Sequence, residues 1–199
     1  MVRFLGKKEY ASTIPLFTEC FGDDPEFMAE YYGSVNVDGT CSGKIRNGHV
    51  AALEEDGKIA SMVQIRYYSA ELILGQEAGN DGSSGSDRTS DTGSAGSLHF
   101  QVPYLMCICT DPAKRHRGYM DRVMQFVIDQ MMYEGHPWCF LIPVDKAIYT
   151  HLGFLYEWKL NEQEQEMLYA DEGLDTALAR LLNAEHFPEG EIRIRQELS

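Results

Sequence analysis

Residues 109–135, CTDPAKRHRGYMDRVMQFVIDQMMYEG, put Lys114, Arg115, His116 and Arg117 in a row ahead of Gly118 and an amphipathic run. Before them LHFQVPYLMCICTD has the alternating, β-branched and aromatic texture of a strand. After them Met120, Val123, Met124, Val127 and Met131 recur at helical spacing, which predicts a helix over about 119–133. The order is therefore strand, basic loop, helix N-terminus. Unpaired backbone N–H groups and the positive end of the helix dipole converge at such a point, and Gly118 lets a ligand approach the backbone closely. An anion is favoured there, phosphate above all, with Lys114, Arg115 and Arg117 adding charge suited to a pyrophosphate or ribose phosphate. The competing reading is an ordinary solvated basic turn. Neither the triphosphate loop GxxxxGK[ST] nor the dinucleotide fingerprint GxGxxG occurs in the chain.

This basic cluster stands in an acidic chain of 199 residues, with 31 Asp and Glu against 17 Lys and Arg, formal net charge -14. That balance disfavours nucleic acid and anionic membrane as general partners and suits cationic ones. Cys20, Cys41, Cys107, Cys109 and Cys139 are odd in number, show no CxxC pairing and sit mostly in apolar runs. They read as reduced thiols, and no metal site is expected. The opening MVRFLGKKEY lacks an apolar signal core, and nowhere do about 18 apolar residues run together. The expectation is a soluble cytoplasmic protein with one main domain.

Outward from the basic loop, the chain reads as a mixed sheet with helices on its faces, an α/β arrangement without internal repeats. A short strand over 2–5 precedes a helix carrying Tyr10, Ile14, Leu16, Phe17, Cys20 and Phe21, which Pro15 is expected to kink. In GDDP, Asp24 is a cap and Pro25 a first helical position for a second helix, EFMAEYYG. HVAALEEDGKIASMVQIRYYSAELIL predicts two strands joined at Asp56-Gly57. Residues 75–97, dense in Gly, Ser and Asp, are expected to form a mobile loop between two strands of one sheet. Beyond the 119–133 helix, a strand over 138–142, a short helix over 146–152 and a strand over 154–160 are expected. The acidic NEQEQE then leads to a predicted helix carrying Leu174, Leu178, Leu181 and Leu182, and EIRIRQEL alternates like a strand.

The segment YLMCICTDPAKRHRGYMDRVMQFVIDQM resembles the acetyl-coenzyme A binding motif of the GNAT superfamily of N-acetyltransferases, whose signature is [QR]-x-x-G-x-[GA]. Here it reads Arg115-His116-Arg117-Gly118-Tyr119-Met120, with Met120 where Gly or Ala is usual. A bulkier residue there is similar to the Eis-type (enhanced intracellular survival) branch, and so is FLIPVDKAIYTHLGF over 140–154, which resembles L-x-P…Y-x-x-x-GF. The resemblance implies a GNAT acyl-CoA N-acyltransferase fold over 1–160, with 161–199 as a short helix and strand extension packed on the same domain. It implies acetyl-CoA as cosubstrate and a primary amine as acceptor, attacked directly in a ternary complex. Backbone amides of His116, Arg117, Gly118, Tyr119, Met120 and Asp121, with the Arg115 and Arg117 charges, would hold the pyrophosphate. The backbone of Ile108, Cys109 and Thr110 would pair with the pantetheine arm like an added strand. Tyr149 would be the general acid that protonates the departing thiolate.

No general base stands out in the sequence. His151 lies two residues from Tyr149 and so on another side of its helix, and Asp145 looks like an N-cap. Glu26 and Glu30 could line an acceptor site or a solvated face. Cys107 and Cys109 share one strand face and read as buried core thiols. Eis-type relatives take a carboxylate from a second domain, for which 199 residues leave no room. The acidic chain favours a cationic small molecule as acceptor over a protein or peptide amine, and relatives suggest a homodimer. The alternatives are a noncatalytic acyl-CoA binding or sensing module, and an interaction domain whose basic loop meets an acidic partner.

Overall fold

A computed structural model describes residues 1–32, 49–74 and 97–198 of the chain. The loop expected over 75–97 falls outside them, apart from Ser97, and so does Cys41.

The sheet is organised by the Asp56-Gly57 turn. Both residues are left-handed, with φ of 54° and 72°. This is the backbone that a two-residue hairpin needs to match the twist of its strands. It joins β2 (His49–Glu55) to β3 (Lys58–Ile73), and β4 (Ser97–Thr110) returns antiparallel along β3. β1 (Val2–Phe4) edges β2. The far half of β3, from Tyr68 to Ile73, pairs on its other edge with β8 (Glu191–Glu197). β5 (Trp138–Leu141) is parallel to β4, and β7 (Thr176–Leu181) and β6 (Tyr156–Lys159) complete an eight-stranded mixed sheet in the order β1-β2-β3-β4-β5-β7-β6.

Alternation along the strands divides the core. Ala51, Leu53, Val63 and Ile65 face α3 (Tyr119–Tyr133), whose Val123, Met124, Val127 and Met131 are buried as their spacing predicts, with Ile128 buried beside them and Met120 partly buried. Each such side chain contributes roughly 1.5–3 kcal/mol of transfer free energy when fully buried. Val50, Ala52 and Met62 face the other way, under a 3-10 turn over Lys7–Thr13, α1 (Ile14–Phe21) and Met28 of α2 (Pro25–Tyr32). The aromatic cluster of Tyr68, Tyr104, Trp138 and Phe140 continues that side toward β6, β7 and β8. No helix among the described residues is long and apolar enough to cross a membrane.

Two expectations are corrected. Pro15 does not kink a helix: it lies in the first turn of α1, just after the 3-10 turn, where its missing N–H costs no hydrogen bond. The stretch carrying Leu174, Leu178, Leu181 and Leu182 is not a helix. NEQEQE itself forms the helix α5 (Glu162–Met167), capped reciprocally by Asn161 and Glu164. The following TALARL is β7, inserted between β5 and β6. Its Ala177 and Ala179 face the aromatic cluster while Leu178 faces the α3 side, a two-residue alternation that the leucine spacing concealed.

Candidate functional site

The site begins where β4 and β5 part. Their parallel pairing comprises Tyr104 opposite Phe140, after which the strands' C-terminal ends diverge. β4 also bulges there. The register against β3 slips between Met62 and Gln64, so that Cys107 and Ile108 face one residue, and Cys107 takes a left-handed φ of 50°. A bulge of this kind bends its strand and re-aims side chains. Ile108 packs toward α3 and the two thiols to the opposite side, as the strand pattern predicts. The result is a cleft of about 430 Å³ floored by Tyr104, Met106, Cys107 and Ile108, lying outside the carboxyl ends of parallel strands, where open α/β sheets bind ligands.

The basic loop follows β4 three residues beyond Ile108, the last β4 residue of the cleft lining. Asp111 accepts a hydrogen bond from the Ala113 N–H at 2.9 Å and so sets a single turn over Pro112–Lys114. His116 (φ 62°) and Gly118 (φ 69°) are left-handed, and α3 starts immediately after. Left-handed residues in close succession form the backbone concavities that receive anions. Gly118 is the N-cap and has no side chain to fold back on the first-turn N–H groups, and a Cβ built on it would meet nothing within 4 Å. The opening before the helix is thus free of side chains from this cap.

The neighbouring side chains differ in how far they are committed. Arg115, His116 and Arg117 are exposed, and the Arg115 Nε donates to the Thr110 carbonyl at 3.4 Å. Lys114 instead pairs with Glu55 at 2.9 Å, and the Tyr119 hydroxyl bonds the same carboxylate. Those two contacts, Tyr119 first, hold the Glu55 carboxyl below its ordinary range. Much of the Lys114 charge is therefore spent on the β2–β3 hairpin. Asp121 contacts the His151 Nε2 at 2.9 Å, linking α3 to α4 (Ala147–Thr150). Met120 is partly buried and packs against the α3 side of the core. On β4, the Cys109 carbonyl accepts from the Ser61 hydroxyl at 3.0 Å, and the Thr110 carbonyl also accepts the Cys20 thiol at 3.5 Å. Ile108, at the bulge, lines the cleft.

Tyr149 lines the cleft from the β5 side, together with Ile142, Val144 and Ile148. Its ring meets Phe154 edge-on at 6.2 Å. Burial, with the Cys109 thiol adding a smaller effect, pushes its hydroxyl up to about 12. The phenol is protonated at neutral pH and can act as a proton donor. Asp145 accepts the Ala147 N–H at 2.9 Å and caps α4, while His151 is exposed and outside the cleft lining. Glu26 does not line the cleft either; Phe27 and Met28 of the same helix do. The side chain of Glu30 lies outside the described residues. Among the described residues no group of three or more His, Cys, Asp or Glu is arranged to hold a metal ion.

Sequence reasoning missed a further part of the cleft wall. Asp23, from the α1–α2 turn, and Tyr169, Ala170 and Asp171, between α5 and β7, line the cleft. Tyr169 is left-handed (φ 56°), and the guanidinium of buried Arg66 sits 5.2 Å from its ring centroid. Asp23 was readable only as part of the turn signal GDDP. The 169–171 wall was masked by the helix assigned downstream of NEQEQE.

Residues 90–157 match a family model described as an acetyltransferase (GNAT) domain. No curated protein matches the chain. Among solved structures, the chain is similar to a GNAT family acetyltransferase from Brucella melitensis in complex with acetyl-CoA (15% identity, TM-score 0.52, 96% of this chain and 93% of that one). It is also similar to Tetrahymena GCN5 (11% identity, TM-score 0.50, 88% and 87%). A conserved protein from Enterococcus faecalis aligns at 12% identity with TM-score 0.52, over 79% of this chain but 33% of its own length. The chain thus spans about a third of that larger relative. Identities this low speak to the fold alone: the mixed α/β sheet described above is the fold shared with these GNAT acetyltransferase structures.

Proposed function

We propose that the protein transfers an acetyl group from acetyl-CoA to a primary amine by direct attack in a ternary complex. What supports the reading is one juxtaposition: an uncapped helix N-terminus entered through left-handed Gly118, next to a cleft between splayed strands that Tyr149 lines. The match of residues 90–157 to the acetyltransferase model covers this same region.

In this reading the backbone N–H groups from His116 to Asp121 hold the coenzyme pyrophosphate, with Arg115 and Arg117 supplying charge. The pantetheine arm lies along Ile108, Cys109 and Thr110 in the gap that β5 leaves. The acceptor loses a proton from its ammonium form, and the amine lone pair attacks the thioester carbonyl carbon. A β4 backbone N–H stabilises the resulting oxyanion, an effect worth about 3 kcal/mol per donor. On collapse the C–S bond breaks, Tyr149 protonates the thiolate, and the second nitrogen proton, passed through solvent, restores the Tyr149 phenol. One amide, one thiol and one proton are formed. Met120 and the FLIPVDKAIYTHLGF segment favour the Eis-type branch, and net charge -14 favours a cationic acceptor.

Mass spectrometry after incubation with acetyl-CoA and a broad primary-amine library tests the reading. A product heavier than its amine by one acetyl group, dependent on enzyme and thioester, is expected. Stabilisation by coenzyme A without transfer to any amine would replace the enzyme with a binding or sensing module.

A further inference from the structure

The acceptor end of the cleft has a chemical character of its own. Phe21, Phe27 and Tyr169 line it and remain 48%, 49% and 56% exposed, respectively. Large apolar faces left open around a concavity mark a binding surface. They come from three separate segments, α1, α2 and the α5–β7 connection, so no single amphipathic element accounts for them.

Within this apolar rim stand the carboxylates of Asp23 and Asp171, contributed by the α1–α2 turn and the α5–β7 connection. Neither side chain has a hydrogen bond or ion pair among the described residues, whereas Asp145, the third acid of the cleft, is committed to capping α4. The two approach the same point. After burial, which chiefly pushes the Cys107 thiol up to about 12, and the opposing charge of Arg66, both carboxylates add to the effect. Cys107 is the bulged residue of β4, beside the proposed position of the thioester. An ammonium group on the open side of that point gains the two carboxylate charges, and its substituent meets the rings of Phe21 and Phe27, while the Arg66 charge behind that point is paired with Glu197 at 3.3 Å.

Resting on the acetyltransferase reading, we infer that the acceptor is a small monoamine whose primary ammonium is carried on an apolar, preferably aromatic, group. Asp23 and Asp171 hold the ammonium, and Phe21, Phe27 and Tyr169 receive the hydrophobic part. About 430 Å³ suits a compact molecule of this kind. Extended polyamines would leave their further charges against an apolar rim, where burial without a partner is costly.

The test compares 2-phenylethylamine, ethylamine, spermidine and a lysine-containing peptide as acceptors. 2-Phenylethylamine is expected to have a kcat/KM at least tenfold above each of the others. Asp171→Asn and Asp23→Asn should each raise its KM at least fivefold with the acetyl-CoA KM within twofold, and Phe27→Ser should narrow its advantage over ethylamine. Calorimetric binding of 2-phenylethylamine to the coenzyme A complex, weakened by Asp171→Asn, is expected as a readout independent of turnover. Equal or better use of spermidine or the peptide overturns this inference while leaving acetyl transfer standing. Absence of transfer to every amine overturns both.

Discussion

At the residue scale Gly118 and Tyr149 carry the proposed coenzyme grip and proton transfer. Gly118→Ala meets no atom within 4 Å but must hold φ near 69°, so about 1–2 kcal/mol of backbone strain is expected without a clash. Its added methyl group faces the anion's approach, and isothermal titration should show coenzyme A bound at least tenfold more weakly. Affinity equal to wild type would move the pyrophosphate elsewhere. Tyr149→Phe should lower kcat by about a hundredfold, the scale of a lost general acid, while coenzyme affinity stays within twofold. Because burial carries the hydroxyl up to about 12, the variant's pH–rate profile should keep the wild-type alkaline limb below pH 10. Both residues were singled out in the sequence, Gly118 by the strand–loop–helix pattern and Tyr149 by the resemblance, and the structure puts Gly118 at the α3 N-cap and Tyr149 in the cleft lining. Asp171 and Tyr169 were not legible there, since their importance comes from which wall they complete, a property of chain packing. The left-handed turn at Cys107 left no trace either: a bulge at a non-glycine residue has no compositional signal.

At the element scale, α3 and the β2–β3 hairpin followed from pattern because helix stripe and turn chemistry agreed there. β7 did not, because four leucines at helical intervals outweighed a short alternating run. Its burial makes the distinction measurable. Leu178 is almost fully buried, facing the α3 side of the sheet. Leu178→Ala should cost about 2–5 kcal/mol in urea unfolding, the usual range for a core cavity. A loss below about 1 kcal/mol, as for a surface position, would contradict the insertion of this strand between β5 and β6.

At the scale of the whole molecule, buried neutral phenols and thiols set the alkaline limit. Burial pushes Tyr68 up from 10.0 and Cys139 up from 9.0, each to about 12, and raises Tyr67 and Tyr104 as well. From about pH 8 upward the unfolded chain releases these protons before the folded one does, so stability is fully present below about pH 8 and falls as pH rises toward 12. Unfolding free energies measured at about pH 6.5, 7.5 and 10.5 should be flat between the first two and lower at the third; a flat series throughout would contradict the burial of these groups. The same scale explains the basic loop in an acidic chain: positive charge is gathered where a polyanion is proposed to sit, and carboxylates line the end proposed for a cation. The most direct test is a crystal structure with coenzyme A bound. The pyrophosphate is expected against the backbone N–H groups of His116 to Asp121, and the sulfur within hydrogen-bond reach of the Tyr149 hydroxyl. Coenzyme A found away from the α3 N-terminus, or with its sulfur outside the β4–β5 cleft, would contradict the proposal.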